Sequence, residues 1–134
     1  MQIPREKAKP VKRFSAKLLF QFRVVVNGDS GKRRSCEERI VLVNALTARQ
    51  ALTKAKGRGQ ESQYDYLNGA GNQVHFEFIG ITDLLELGIE CGEDEVWYDI
   101  VERLLPSERR DKLIPSETDL TAIKLESTQK KRKR

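Results

Sequence analysis

Apolar residues are concentrated between positions 14 and 105, and both ends of the chain are nearly bare of them. Within that stretch Ala16, Leu18, Phe20, Phe22, Val24 and Val26 alternate with Lys17, Leu19, Gln21, Arg23 and Val25. A period of two, rich in β-branched and aromatic residues, predicts a strand with one strongly apolar face. Asn27-Gly28 follows, and both residue types tolerate the positive φ angles of a tight hairpin turn. The return strand is expected over residues 35–43. Cys36, Glu38, Ile40 and Leu42 then share one face, and Glu37, Arg39, Val41 and Val43 the other.

A helix comes next. Thr47-Ala48-Arg49-Gln50 has the spacing of a capping box, and Leu46 with Ala51 has that of a hydrophobic staple. Ala48, Ala51, Leu52 and Ala55 make a narrow apolar stripe at helical spacing, whose small residues let the helix lie close to a sheet. Gly57 or Gly59 is expected to end it. Residues 60–72 read as a polar connection. A third strand carries Val74, Phe76 and Phe78 on one face, with Gln73, His75, Glu77 and Ile79 on the other. Residues 82–87 are open between a helical turn and extended chain, and residues 88–94 are an acidic loop. Residues 95–105 fit both periods, but Val96, Trp97, Tyr98, Ile100 and Val101 favour a fourth strand, ended by Pro106. Beyond it lies a polar tail with a small apolar patch at Leu120, Ile123 and Leu125.

The expected architecture is therefore α+β, in the order β-β-α-β-β, an antiparallel sheet with one helix on one face. The expected organisation is a basic disordered arm over residues 1–13, the α+β domain over 14–106, and a polar tail over 107–134 ending in a basic run.

Charge changes this picture. The net charge is +5 over 134 residues. Residues 1–13 contribute +4, and Lys130, Lys131, Arg132, Lys133 and Arg134 contribute +5, so the body is net acidic. The body is itself divided, with +7 over residues 14–60 and −11 over residues 61–126. The basic balance thus belongs to the arms and the first half, and overall pI alone is a poor argument for nucleic-acid binding. No stretch approaches the roughly 20 apolar residues of a membrane helix. The opening residues lack a signal-peptide core. A cytoplasmic setting with Cys36 and Cys91 as free thiols is the expectation.

Candidate chemistry is sparse. Gly28-Asp29-Ser30-Gly31-Lys32 has two residues between its glycines where a phosphate loop needs four, so it reads as a turn. Cys36, His75 and Cys91 are not arranged in the close pairs of a zinc site, and no metal or cofactor is expected. Glu37, Glu38, Glu77, Glu95 and Asp99 fall on predicted strands and read as a solvated, charge-alternating face. Lys32, Arg33 and Arg34, the helix residues Arg49, Lys54, Lys56 and Arg58, and the terminal run 130–134 are the candidate anion or nucleic-acid contacts.

The order of segments resembles an uncharacterised bacterial family, catalogued as domain of unknown function 4288. The resemblance is carried by Ala16-Lys17-Leu18-Leu19-Phe20, the run Glu37-Glu38-Arg39-Ile40-Val41-Leu42-Val43, the helix over 45–55, Val74-His75-Phe76-Glu77-Phe78-Ile79-Gly80-Ile81, and Glu95-Val96-Trp97-Tyr98. It implies a fold and a bacterial setting, and no activity. The functional expectation is a non-enzymatic binding or interaction domain that contacts a protein partner. The alternative is an accessory nucleic-acid-binding protein using its basic arms and helix face.

Overall fold

The computed structural model of the chain describes residues 10–132, and the backbone alone for the last three of these. It divides into two units, Met1–Tyr98 and Asp99–Arg134. In the first, β1 (Lys12–Val25) and β2 (Ser35–Ala45) precede α1 (Ala48–Glu61), followed by β3 (Tyr64–Leu67) and β4 (Gln73–Leu87). The strands form one antiparallel sheet in the order β2-β1-β4-β3, with α1 on one face. This is the expected β-β-α-β-β order in the α+β class.

The local signals act as the chemistry dictates. Asn27 and Gly28 take φ of 52° and 78°, and Val26 and Asp29 exchange both backbone hydrogen bonds across them, at 2.9 and 3.0 Å. The Thr47 Oγ1 accepts from the Gln50 amide at 3.1 Å, and the Leu46 amide donates to Gln50 Oε1 at 3.1 Å. The reciprocal arm of the capping box thus reaches the residue before the cap.

The core lies between α1 and the sheet. Phe14, Ala16, Leu18 and Phe20 of β1 meet Val43 and Ala45 of β2, Phe76 of β4, and Ala51 and Ala55 of α1. Each large member contributes about 1.5–3 kcal/mol by leaving water. The even-numbered residues of β1 from Phe14 to Phe20 face α1, as the alternation predicts, and Phe22 packs against the edge of the cluster. Ala48 is exposed, outside the buried stripe, and Gly59 takes a place in it beside Ala51 and Ala55.

Three expectations are corrected and one open reading is resolved. The helix does not stop at Gly57 or Gly59: it runs to Glu61 and ends at Ser62, whose φ of −81° needs no glycine. Gly59 serves packing, because it lies against the Phe78 ring. Residues 95–105 form no strand. The place beside β4 is taken by Tyr64–Leu67, inside the expected polar connection, because a short hairpin closes with little loss of chain entropy. Residues 82–87 are extended and belong to β4. β4 slips twice against β1, leaving Ile79 and Thr82 without partners. Phe76, Phe78, Ile81 and Leu84 consequently all pack on the helix side at spacings of two, three and three, a pattern with no single period.

In the second unit the expected polar tail carries helical turns: α2 (Arg110–Leu113), a 3-10 turn (Glu117–Asp119) and α3 (Thr121–Arg132). No glycine or proline occurs after Pro115, so nothing interrupts the last helix. The arm expected over residues 1–13 lies largely outside the described residues, and its last two residues, Lys12 and Arg13, open β1.

Candidate functional site

A helix rises about 1.5 Å per residue and a strand about 3.3 Å, so α1 spans less than half the length of β1, although both have 14 residues. The helix covers the sheet from Phe14 to Phe20. Beyond its C-terminus the same face is aromatic. Phe20 stacks on Phe76 with centroids 4.7 Å apart, Phe22 lies 4.8 Å from Phe76, and Tyr64 lies 5.0 Å from Phe76 on its other side. Tyr66 continues the row, 5.8 Å from Tyr64. Arg39 of β2 lies over this cluster, its guanidinium 4.9 Å from the Phe20 ring and 5.0 Å from Phe76, and it pairs with Glu37. Phe76 is thereby buried, while Tyr64 and Tyr66 remain 51% and 40% exposed.

The opposite face carries a polar row across three strands. His75 Nδ1 lies 2.6 Å from Asp65 Oδ1. Arg23 donates to both Glu77 oxygens, at 2.8 and 3.1 Å, and to Ser30 Oγ at 3.0 Å. Gln21 Nε2 also donates to Glu77, and Arg34 donates to Gln21 Oε1. The hydrogen bonds from Arg23, above all, hold the Glu77 carboxyl below its ordinary range, and Glu77 raises Arg23 in return. Both groups are committed to each other, which suits a rigid surface. The other end of this face is covered by the chain after β4. Arg13 donates to the carbonyls of Gly92 and Glu93 at 2.7 and 2.6 Å, and Lys17 lies 4.3 Å from the Trp97 ring centroid.

The residues singled out from the sequence are not drawn into one place. Arg49 and Lys56, two turns apart, lie on one flank of the buried stripe; Lys54 and Arg58, one turn apart, lie on the other. All four are exposed, and Lys54 Nζ donates to the Asn44 carbonyl at 2.7 Å. Lys32, Arg33 and Arg34 are exposed in the β1–β2 connection. The side chains of Lys130, Lys131, Arg132, Lys133 and Arg134 lie outside the described residues. Of the acidic residues, Glu37 pairs with Arg39 and Glu77 with Arg23, while Glu38 is exposed on β2. Glu95 and Asp99 lie outside any strand. Cys36 is on β2, His75 on β4, and Cys91 in a turn, and both cysteines are free. Among the described residues, no group of three or more His, Cys, Asp or Glu is placed to hold a metal ion, and no helix is long and apolar enough to cross a membrane.

Sequence reasoning missed Tyr64 and Tyr66, which lie inside the assigned polar connection. The signal was present: Tyr64, Tyr66 and Leu67 precede Asn68-Gly69, a turn pair, by the length of one short strand. The Asn68 Oδ1 accepts from the Ala70 and Asn72 amides and closes that turn.

Neither the curated proteins nor the solved structures provide a significant match to this chain. A family model described as a domain of unknown function, DUF4288, matches residues 13–96, which takes in α1 and the described strands except Lys12, the first residue of β1. The chain belongs to the DUF4288 family.

Proposed function

We propose that this domain is a non-enzymatic binding module that recognises a protein partner through the aromatic end of its helix-side sheet face. The observation that carries this reading is the pair of exposed tyrosines, Tyr64 and Tyr66, beside the buried Phe20 and Phe76 and the half-buried Phe22, with Arg39 alongside. Tyrosine and arginine on a rigid base are the residues that carry most binding energy in protein interfaces, because they bring large contact area at low entropic cost. The polar row on the other face is internally satisfied, so it offers fewer free groups to a ligand. The two free thiols fit a reducing, cytoplasmic setting.

The test is photo-crosslinking from Leu67, at the border of the patch, in the native cell extract. The captured protein is then titrated with purified wild type and with a Tyr64→Ala/Tyr66→Ala variant. The expected result is saturable binding that weakens at least tenfold in the variant. Undiminished affinity in the variant sinks the site.

The nucleic-acid reading draws on the exposed Lys32 and Arg33 and on the basic ends of the chain. The division of the helix cations between two flanks weighs against a continuous phosphate track along α1. Binding to a duplex and a single strand at low and physiological salt, with and without residues 1–13 and 127–134, decides it. A steep salt dependence that vanishes with the arms supports nucleic-acid binding. Absence of binding by the intact chain at low salt removes it.

A further inference from the structure

The sheet has two free edges of unequal kind. β3 is four residues long, too short to template another strand. β2 is 11 residues long, contains no proline, and pairs with β1 without a bulge from Ser35 to Ala45. Proline, bulges and brevity are among the devices that blunt an edge against pairing, and β2 has none of these; the charges on its edge, Glu38 and the Lys54 ammonium at Asn44, flank the Ile40–Leu42 stretch and leave it uncharged.

The direction of its backbone groups follows from two hydrogen bonds. Val26 and Asp29 exchange both of theirs at the hairpin, so even-numbered residues of β1 turn their backbone groups toward β2. The odd-numbered residues of β2 answer them, and the even-numbered ones point away. Asn44 agrees: its carbonyl is met by the Lys54 ammonium. Glu38, Ile40 and Leu42 therefore present their amides and carbonyls along the free edge. Ile40 and Leu42 also hold their side chains 44% and 43% exposed.

We infer that β2 pairs with β2 of a second copy of this chain, antiparallel and centred on Val41, joining two sheets into one of eight strands. The register is selected by the sequence of the edge. Centred on Val41, Ile40 lies opposite the partner's Leu42, and Leu42 opposite the partner's Ile40, forming an apolar cluster of four side chains. The same register brings Glu38 opposite the partner's Asn44, where the partner's Lys54 supplies the opposite charge. Centring on Arg39 sets two guanidinium groups against each other and Ile40 against the partner's Glu38. Centring on Ile40 sets Leu42 against the partner's Glu38. Moving the centre to Leu42 shortens the ladder and leaves Glu38 beyond it. Like charges directly opposite destabilise a strand pair, and apolar and opposite-charge pairs stabilise it.

The test is sedimentation velocity on the full chain over a concentration series at physiological salt. The expected result is a monomer–dimer equilibrium whose dissociation constant rises at least tenfold in an Ile40→Lys/Leu42→Lys variant with unchanged circular dichroism. A second measurement fixes the register. Val41 lies on the two-fold axis in a non-hydrogen-bonded pair, with a Cα separation of about 4.5 Å, within reach of a disulfide. Val41→Cys, in a background of Cys36→Ser and Cys91→Ser, is expected to form a covalent dimer under glutathione oxidation. A wild type that stays monomeric across the series overturns the inference, as does a dimer that the lysine pair leaves intact.

Discussion

A Cβ added to Gly59 of α1 would lie 2.5 Å from the Phe78 ring of β4, so the absence of a side chain at Gly59 lets helix and sheet meet there. Gly57, two residues earlier and on the solvent side, has nothing within 4 Å of the same position. Two glycines in one helix thus have opposite meanings. Gly57→Ala gains helix propensity and is expected to stabilise the domain by up to about 1 kcal/mol. Gly59→Ala makes the same gain but forces the Phe78 ring or the helix to shift, at about 1–3 kcal/mol for overpacking. The expected outcome is a higher denaturation midpoint for the first variant and a lower one for the second. Two midpoints moving upward together would show that Phe78 yields freely.

Thr47 holds the start of the helix through a hydrogen bond from the Gln50 amide. Thr47→Ala leaves that donor without its cap and is expected to cost about 1 kcal/mol. Thr47→Ser, which keeps the hydroxyl, should retain most of the stability. Urea denaturation of the three proteins separates loss of the cap from loss of the methyl group.

Phe20 and Phe22 test how the core fades along β1. Phe20 is fully buried beneath α1, and Phe22 is half-buried beyond the helix end. Phe20→Ala is expected to cost about 3–5 kcal/mol, enough to unfold much of so small a domain. Phe22→Ala should cost less, because it vacates a place already open to water. Equal losses, measured as urea midpoints with Phe→Leu variants as milder companions, would show that the aromatic end is as closed as the centre.

Glu77 gives the fold a specific acid sensitivity. Its carboxyl titrates below the ordinary carboxylate value because Arg23 binds the ionised form. A group depressed in the folded state stabilises fully above its unfolded value of about 4.3, and the contribution is lost as pH falls through the lower folded value. Glu77→Gln should therefore lower the denaturation midpoint at neutral pH and flatten its fall in acid. Arg23→Gln should return the Glu77 carboxyl toward the ordinary range, read directly by carboxyl-carbon NMR titration. A Glu77 titration that does not move in Arg23→Gln would refute the assignment of cause.

The elements that rest on short-range chemistry were legible before the structure. The Asn27-Gly28 turn, the Thr47 cap and the face of β1 each depend on residues within a few positions of one another, so sequence alone determines them. The candidate surface was less legible. Tyr64 and Tyr66 lie in a four-residue strand with no solvent-to-core alternation, all of it exposed, so periodicity carried no mark of it. β4 breaks its own period at Ile79 and Thr82, and only pairing with β1 makes residues 73–87 one strand.

Which stretches can be strand, turn or helix is written in the amino-acid order, because those choices are set by backbone sterics, local hydrogen bonds and the spacing of apolar residues. The competition for neighbours was decided in three dimensions. Residues 64–67 and residues 95–105 both had strand-forming composition. The first lies one short turn from β4 and takes its free side, while Trp97 of the second is placed against Lys17 on the open face. Tertiary structure likewise decided that Gly59 is a contact and not a stop, that the helix cations part onto two flanks, and that α1 ends before the sheet does. Each of these follows from where one element runs out against another, a length and a distance that no local pattern records.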